Sequence, residues 1–315
     1  MRAVVGYAFG GIESLVLEHV ERPLLVDGAV RIAVRAAGVS FANLLVAQGK
    51  HQNRPSLPFT PGTEIAGKVI EVSPASTNMF KPGDRVCAGL PSGGFAEEAV
   101  VSAQNVFRIP DGLPFEQATH FSTIYATAYA ALSWRASLAP GEVLLVHGAA
   151  GASGLAAVEI GAALGARVIA IAGNQDKLSA AIEHGASHGI DYRQEDVKDA
   201  VLRLTGGRGA DVVFDPVGGD MFDVSLRCMA PMGRLLTIGY ASGRIPQIPA
   251  NILLVKNLSV IGVYWGFYMA WGQPQADATT RVRVRKLFDE LFSLFEQGRL
   301  RPVVDAVLPL SQFAD

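Results

Sequence analysis

Residues 142–177 read EVLLVHGAAGASGLAAVEIGAALGARVIAIAGNQDK, and this stretch decides the fold. Val143–Val146 is a short apolar run of strand length. Gly148-Ala-Ala-Gly151-Ala-Ser-Gly154 follows as a glycine-rich turn. Ala152–Leu164 is a helix of small residues, and Arg167–Ala172 is a second apolar strand. Glycines in this pattern suit a sharp turn, a close approach to a pyrophosphate and tight packing of helix on sheet. The helix N-terminus adds free N–H groups and the positive end of a dipole. The turn alone is weak evidence. With a strand before it and a helix and strand after it, the pattern predicts a dinucleotide site at Ala150, Gly151, Ala152, Ser153 and Gly154.

The end of the second strand bears on which dinucleotide. An NAD site usually carries Asp or Glu there, on the ribose 2′-hydroxyl. Here Gly173-Asn174 stands at that point, leaving room for a 2′-phosphate, and Lys177 follows one turn later as its cation. The expected cofactor is NADP(H). Asp176 is the competing feature, because it is an acid one turn from the same place. Tyr192, at the tip of the strand-like Gly189–Arg193, either covers the adenine or touches the phosphate, or is a surface aromatic.

Outward from this unit, strands and helices alternate. Asp211–Asp215 and Arg234–Ile238 read as strands. Gln175–His184, Glu195–Thr205 and Gly219–Cys228 read as helices, so the pattern predicts a parallel sheet with crossovers. Before Pro114 the chain is β-rich, with strand candidates Ala29–Val39, Ile65–Val72 and Arg85–Gly89, and a turn and strand in Gly93–Val101. Residues 115–134 read as an alanine-rich helix, and Thr280–Gly298 as an amphipathic helix stopped by glycine. Leu258–Gly272 is uncharged but too short for a membrane span, so it is expected as a buried strand running into a subunit interface or active-site wall.

The bulk numbers narrow the partners. The 315 residues are 50% hydrophobic and 18% charged, with a net charge of -2, which offers no field for nucleic acid or anionic lipid. The N-terminus has no signal-peptide profile. The two cysteines, Cys87 and Cys228, form no motif and suit a reducing, cytoplasmic setting.

A family resemblance rests on AAGVSFANLLVAQGKH (36–51), LPFTPGTEIAGKV (57–69), FKPGDRVCA (80–88), GGFAEEAVV (93–101), GEVLLVHGAAGASG (141–154), DVVFDPVGG (211–219), GRLLTIGYASG (233–243) and LLVKNLSVIGVYWG (253–266). In that order these motifs resemble the zinc-independent quinone oxidoreductase (zeta-crystallin-like) branch of the medium-chain dehydrogenases/reductases. The resemblance implies an α/β fold with a GroES-like β-rich catalytic domain, residues 1–121 and 266–315, and a Rossmann doubly wound parallel-sheet domain, residues 122–265. It implies NADPH in a cleft between them and a homodimer through the Rossmann domain. Ser40, Phe41, Thr127, Val217, Ile238, Gly239 and Tyr240 are then expected around the nicotinamide, with Val263, Tyr264 and Trp265 on its far side. Gly173, Lys177 and Tyr192 are expected at the adenosine phosphate. The family pattern also continues past a segment like Leu310–Asp315 into a helix and a closing strand.

Zinc-dependent members carry Cys where this chain has Ser40, and Gly-His-Glu where it has Gly62-Thr63-Glu64. The six histidines supply no replacement set, since Gly185 and Gly189 interrupt any helix joining His184 to His188, so no metal is expected. Without that Lewis acid the expected chemistry is hydride transfer to an electron-poor acceptor, a quinone first and an activated C=C bond second. Asn43 and His51 replace the Asp and Tyr usual in the family. With Tyr240 they are the catalytic candidates, His51 being either a proton donor or an exposed loop residue. A low-turnover NADPH-binding sensor or structural protein is the alternative of another class.

Overall fold

The computed structural model describes residues 1–271 and 277–314. The chain divides into two compact units. One comprises Met1–Thr123, Trp265–Phe292 and Pro302–Asp315; the other comprises Ile124–Tyr264 and Ser293–Arg301.

The first unit begins with a two-stranded ribbon, β1 (Arg2–Gly6) on β2 (Leu15–His19). Its main sheet is antiparallel, built from β3 (Ala29–Ala37), β4 (Glu64–Val72), β5 (Arg85–Gly89), β6 (Glu98–Ser102) and β7 (Val106–Arg108) in the order β6-β3-β4-β5-β7. Val30, Ile32, Ile65, Val69, Val86 and Val101 fill its core. Where β3 and β4 slip register, a Cβ on Gly67 would stand 2.1 Å from the Ala33 carbonyl oxygen, so only glycine fits. A short helix, α1 (Phe41–Ala47), links β3 to the segment before β4. Alternation cannot reveal it, but its capping signal, Ser40 followed three residues later by Asn43, is in the sequence. Helix α2 (Phe115–His120) ends this part of the unit.

The helical run continues through a π-helical turn, Phe121–Tyr125, and α3 (Ala126–Tyr129) into the second unit. There β8 (Val143–Val146), α4 (Ala152–Ala163), β9 (Arg167–Ala172), α5 (Gln175–Glu183), β10 (His188–Asp191), α6 (Val197–Leu204), β11 (Ala210–Asp215), α7 (Gly219–Cys228), β12 (Met229–Thr237), α8 (Ala250–Lys256) and β13 (Ser259–Gly262) alternate. The strands form one parallel sheet, β10-β9-β8-β11-β12-β13. Strands β8 and β11 are buried throughout, as the continuous apolar runs require. The helix expected over Glu195–Thr205 starts at Val197 because the Asp196 carboxylate caps it, accepting from the Asp199 N–H at 2.9 Å.

Leu258–Gly272 is not one buried strand. Only Ser259–Gly262 is strand, half-exposed at the sheet edge, and the chain then enters α9 (Trp265–Tyr268); Gly272 lies outside the described residues. The run serves two cores: Leu258 and Val263 are buried in the parallel-sheet unit, and Trp265, Met269 and Trp271 in the antiparallel one.

Helix α10 (Ala278–Glu296) follows. Phe288 stacks on Phe107 with ring centroids 3.4 Å apart, and Arg285 donates to the Ala103 carbonyl at 2.7 Å and to that of Val106. Burying Phe288 alone is worth about 2 kcal/mol. Residues 293–301 return to the parallel-sheet unit, fastened by the buried Glu159. Its carboxylate accepts from Tyr125 Oη at 2.7 Å and from the Arg301 N–H at 3.1 Å, and pairs with His184 Nδ1 at 2.6 Å. His184 caps α5, Gly185 turns with φ 114°, and His188 opens β10, so the two histidines share no helix. No helix among the described residues is long and apolar enough to cross a membrane.

Candidate active site

Strand β8 delivers the glycine-rich turn. Gly148 adopts φ 58°, and its carbonyl accepts from the Gly151 N–H at 2.9 Å. A Cβ on Gly154 would stand 2.2 Å from that same carbonyl oxygen and 2.7 Å from Ala149 Cα. The first turn of α4 therefore sits directly on the β8 turn. No side chain caps α4 at Gly151, so the first-turn N–H groups at Ala152, Ser153 and Gly154 are left for an anion. Gly151 and Ala152 are exposed, and Ala150 and Ser153 half-buried.

At the end of β9 the Tyr192 hydroxyl lies over Gly173, within 2.8 Å of where a Cβ would stand. Asn174 is committed to the backbone: its Oδ1 accepts from the Lys177 N–H at 2.9 Å and caps α5. Lys177 is exposed, and Tyr192 is 44% exposed. The Arg193 guanidinium stands 5.8 Å from the Tyr192 ring centre, a second cation that the sequence reading missed.

A third patch gathers at the ends of β11 and β12. Asp215 Oδ1 accepts from the N–H groups of Val217 and Gly218, both at 2.9 Å. The Ala241 and Ser242 N–H groups donate to the carbonyls of Pro216 and Val217. This stitches Val217 to the turn containing Ile238, Gly239 and Tyr240, and a Cβ on Gly218 would touch the Tyr240 ring at 3.1 Å. Val263 is buried and donates its N–H to Thr237, while Tyr264 is 41% exposed. Thr127 is half-buried in α3.

In the antiparallel unit, Ser40 and Asn43 are brought together. Asn43 Oδ1 accepts from the Ser40 N–H at 2.8 Å and from its hydroxyl at 3.0 Å. Asn43 is buried, and its Nδ2 has no hydrogen-bond partner among the described residues. Phe41 is 52% exposed. His51 is half-buried, and its Nδ1 accepts from the Asn53 N–H at 3.0 Å. The same Nδ1 also lies 3.2 Å from the Asn53 carbonyl oxygen. Trp265 is packed into this unit, and its Nε1 donates to the Ser122 carbonyl at 2.9 Å.

The alcohol dehydrogenase GroES-like domain family matches residues 26–111, and the zinc-binding dehydrogenase family matches residues 152–278. A Nematostella vectensis quinone oxidoreductase-like protein 2 homolog is 44% identical over 286 residues, covering 90% of this chain and 76% of the relative. This chain belongs to the quinone oxidoreductase branch of the medium-chain dehydrogenases/reductases. Escherichia coli quinone oxidoreductase, solved in complex with NADPH, superposes with a TM-score of 0.88 at 29% identity, covering 100% and 94% of the two chains. A 2-haloacrylate reductase superposes with a TM-score of 0.85, also at 29% identity, covering 100% and 94%. The GroES-like and Rossmann architecture expected from the motifs is the one observed.

In this chain, the segment that houses zinc ligands elsewhere in the superfamily has a different character. Among the described residues, no three His, Cys, Asp or Glu gather closely enough to hold a metal ion. Glu64 instead lies fully buried at the start of β4. Its carboxyl presses on Gly38, where a Cβ would fall 2.2 Å from Oε1, and its Oε2 has no hydrogen-bond partner among the described residues. Burial pushes its pKa up to about 7, and the nearby Thr123 hydroxyl, which forms no good hydrogen bond, offsets this only in part. From residue order alone it stands out only as an acid at the edge of an apolar strand.

Proposed function

We propose that the protein is a zinc-independent, NADPH-dependent quinone oxidoreductase. The observation that carries the cofactor reading is the end of β9. No carboxylate follows the strand directly, Asn174 spends its oxygen on the helix cap, and the exposed Lys177 and Tyr192 flank Gly173. The residues fit the cofactor: the α4 N-terminus would take the pyrophosphate, and Lys177, Tyr192 and Gly173 the 2′-phosphate. The Val217–Gly218 loop and the Ile238–Tyr240 turn, with Ser40, Phe41, Thr127, Val263, Tyr264 and Trp265, are assigned to the nicotinamide end. When bound, NADPH supplies a hydride, which with one proton converts a quinone to a hydroquinone. His51 is the proposed donor of that proton, and Tyr240 a further hydroxyl at the site. Asn43 acts through Ser40, whose hydroxyl it fixes. Catalytic work is assigned to residues 1–121 and 266–315, cofactor binding to residues 122–265, and the location to the cytoplasm.

Stopped-flow loss of NADPH absorbance on mixing with a quinone tests the reading. NADPH is expected to bind more tightly than NADH. Lys177→Glu should weaken NADPH binding about tenfold or more while leaving NADH within about threefold, because the reversed charge faces a phosphate that NADH lacks. Equal binding of the two cofactors by the parent protein would remove the argument from Gly173 and Lys177. Reduction of an activated C=C bond is the second reading, favoured by the similarity to a 2-haloacrylate reductase; faster turnover of an enone than of a quinone would establish it. Tight NADPH binding with no turnover of either would leave a sensor or structural protein.

The same proposal includes a homodimer through the parallel-sheet unit. Strand β13 ends that sheet with an unpaired edge, and Leu254 and Val255 on α8 beside it are each 79% exposed. Light scattering on the eluted protein should give twice the chain mass; a monomer at micromolar concentration would dismiss it.

A further inference from the structure

Beneath the nicotinamide-end loop lies a buried polar triad that the chemistry above does not use. His147 follows β8 directly and Asp215 ends β11. The parallel register sets Val146 beside Phe214 and so His147 beside Asp215. Both side chains, with Ser225 on α7, are fully buried. His147 Nε2 meets Ser225 Oγ at 2.6 Å, and the Ser225 hydroxyl donates to the Met221 carbonyl at 2.9 Å. The single hydroxyl proton is thereby spent, so Nε2 is the donor in its pair and Nδ1 keeps the lone pair in the neutral ring. Burial holds the His147 pKa below the usual histidine range, opposed by the charge of Asp215. Asp215 Oδ1 takes the N–H groups of Val217 and Gly218, while Oδ2 and His147 Nδ1 have no hydrogen-bond partner among the described residues.

Three buried polar side chains in an apolar sheet carry a desolvation cost that no packing role offsets. Of the three, Asp215 reaches the Val217–Gly218 backbone. Gly218 has φ 65°, and a Cβ on Gly148 would lie 3.5 Å from Val217 Cγ2, so this loop also borders the glycine-rich turn.

We propose that Asp215, buried beside the Ser225–His147 pair, is a positioning residue that sets the Val217–Gly218 loop for the nicotinamide half of the cofactor. This rests on the NADPH reading above. Removing the Asp215 carboxylate frees two loop N–H groups and the fold of the turn with them, while Gly173 and Lys177 follow β9, with β8 between it and β11.

Two probes separate positioning from general damage. NADPH reads the whole site, and adenosine 2′,5′-bisphosphate reads only the Gly173–Lys177 end. Asp215→Ala should raise the Kd for NADPH by about tenfold or more and leave the bisphosphate within about twofold. Asp215→Asn keeps an oxygen for both N–H groups and should restore NADPH binding to within about threefold of the parent. Should Asp215→Ala not fold, Asp215→Ser takes its place, with NADPH weakened about threefold or more and the bisphosphate unchanged. Parent-like NADPH binding in the variant that lacks the side-chain amide or carboxylate, equal loss of both probes, or no rescue by asparagine would each overturn the proposal. A parent protein that does not bind NADPH would instead overturn the functional reading on which it rests.

Discussion

Replacing Gly154 by valine is expected to abolish NADPH binding and to cost about 3 kcal/mol or more of stability, while alanine at Gly151 should leave stability within about 0.5 kcal/mol. The two glycines belong to one motif, yet their surroundings differ. A Cβ at Gly154 meets backbone, 2.2 Å from the Gly148 oxygen and 2.7 Å from Ala149 Cα, and backbone cannot rotate away as a side chain can. A Cβ at Gly151 would lie 3.4 Å from the same oxygen, an ordinary contact, and its backbone sits at φ -78°. Valine at 154 must therefore push α4 away from the β8 turn, and the helix N–H groups lose their aim together. Denaturant unfolding and titration of NADPH fluorescence read the two effects. A Gly154→Val protein with parent-like stability and affinity would show that α4 does not rest on the turn.

The second large effect is a pH dependence of stability centred on Glu64. Its folded pKa, about 7, lies above the ordinary 4.5 because the carboxylate is buried with one oxygen unpaired. A raised pKa means that the folded state holds its proton more tightly than the unfolded state does. The contribution is complete below about pH 4.5 and is lost as pH rises through about 7, about 3 kcal/mol in all. Glu64→Gln cannot titrate and should remove this fall. Relative to the parent, the glutamine variant is expected to gain about 2–3 kcal/mol between pH 5 and pH 8. Urea unfolding at the two pH values measures it. Parallel pH profiles for the two proteins would mean that Glu64 does not change its charge in this window.

Much of the parallel-sheet unit can be read directly. Val143–Val146 and Arg167–Ala172 coincide with β8 and β9, and Gly219–Cys228 with α7, because buried strands and crossover helices write long regular patterns. Shorter elements do not. Helix α1 is seven residues long and α8 also seven, too few for a period, and the apolar run after Leu258 conceals a change of core in mid-segment.

The candidate site divides the same way. Residue type and spacing alone determined the glycine-rich turn and the missing acid after β9 with Lys177 one turn on, while the family resemblance marked Ser40 and Thr63 as standing at zinc-ligand positions. The first two are local properties, and each follows from the chemistry of residues a few positions apart. Only the tertiary structure decided that Asn43 folds back on Ser40, that Tyr192 closes over Gly173, that Glu64 is buried against Gly38, and that His147 lies beside Asp215. Each of these depends on where a distant strand or turn comes to rest. In an apolar interior that neighbour fixes whether a polar group is paired, and with it the group's charge and its use.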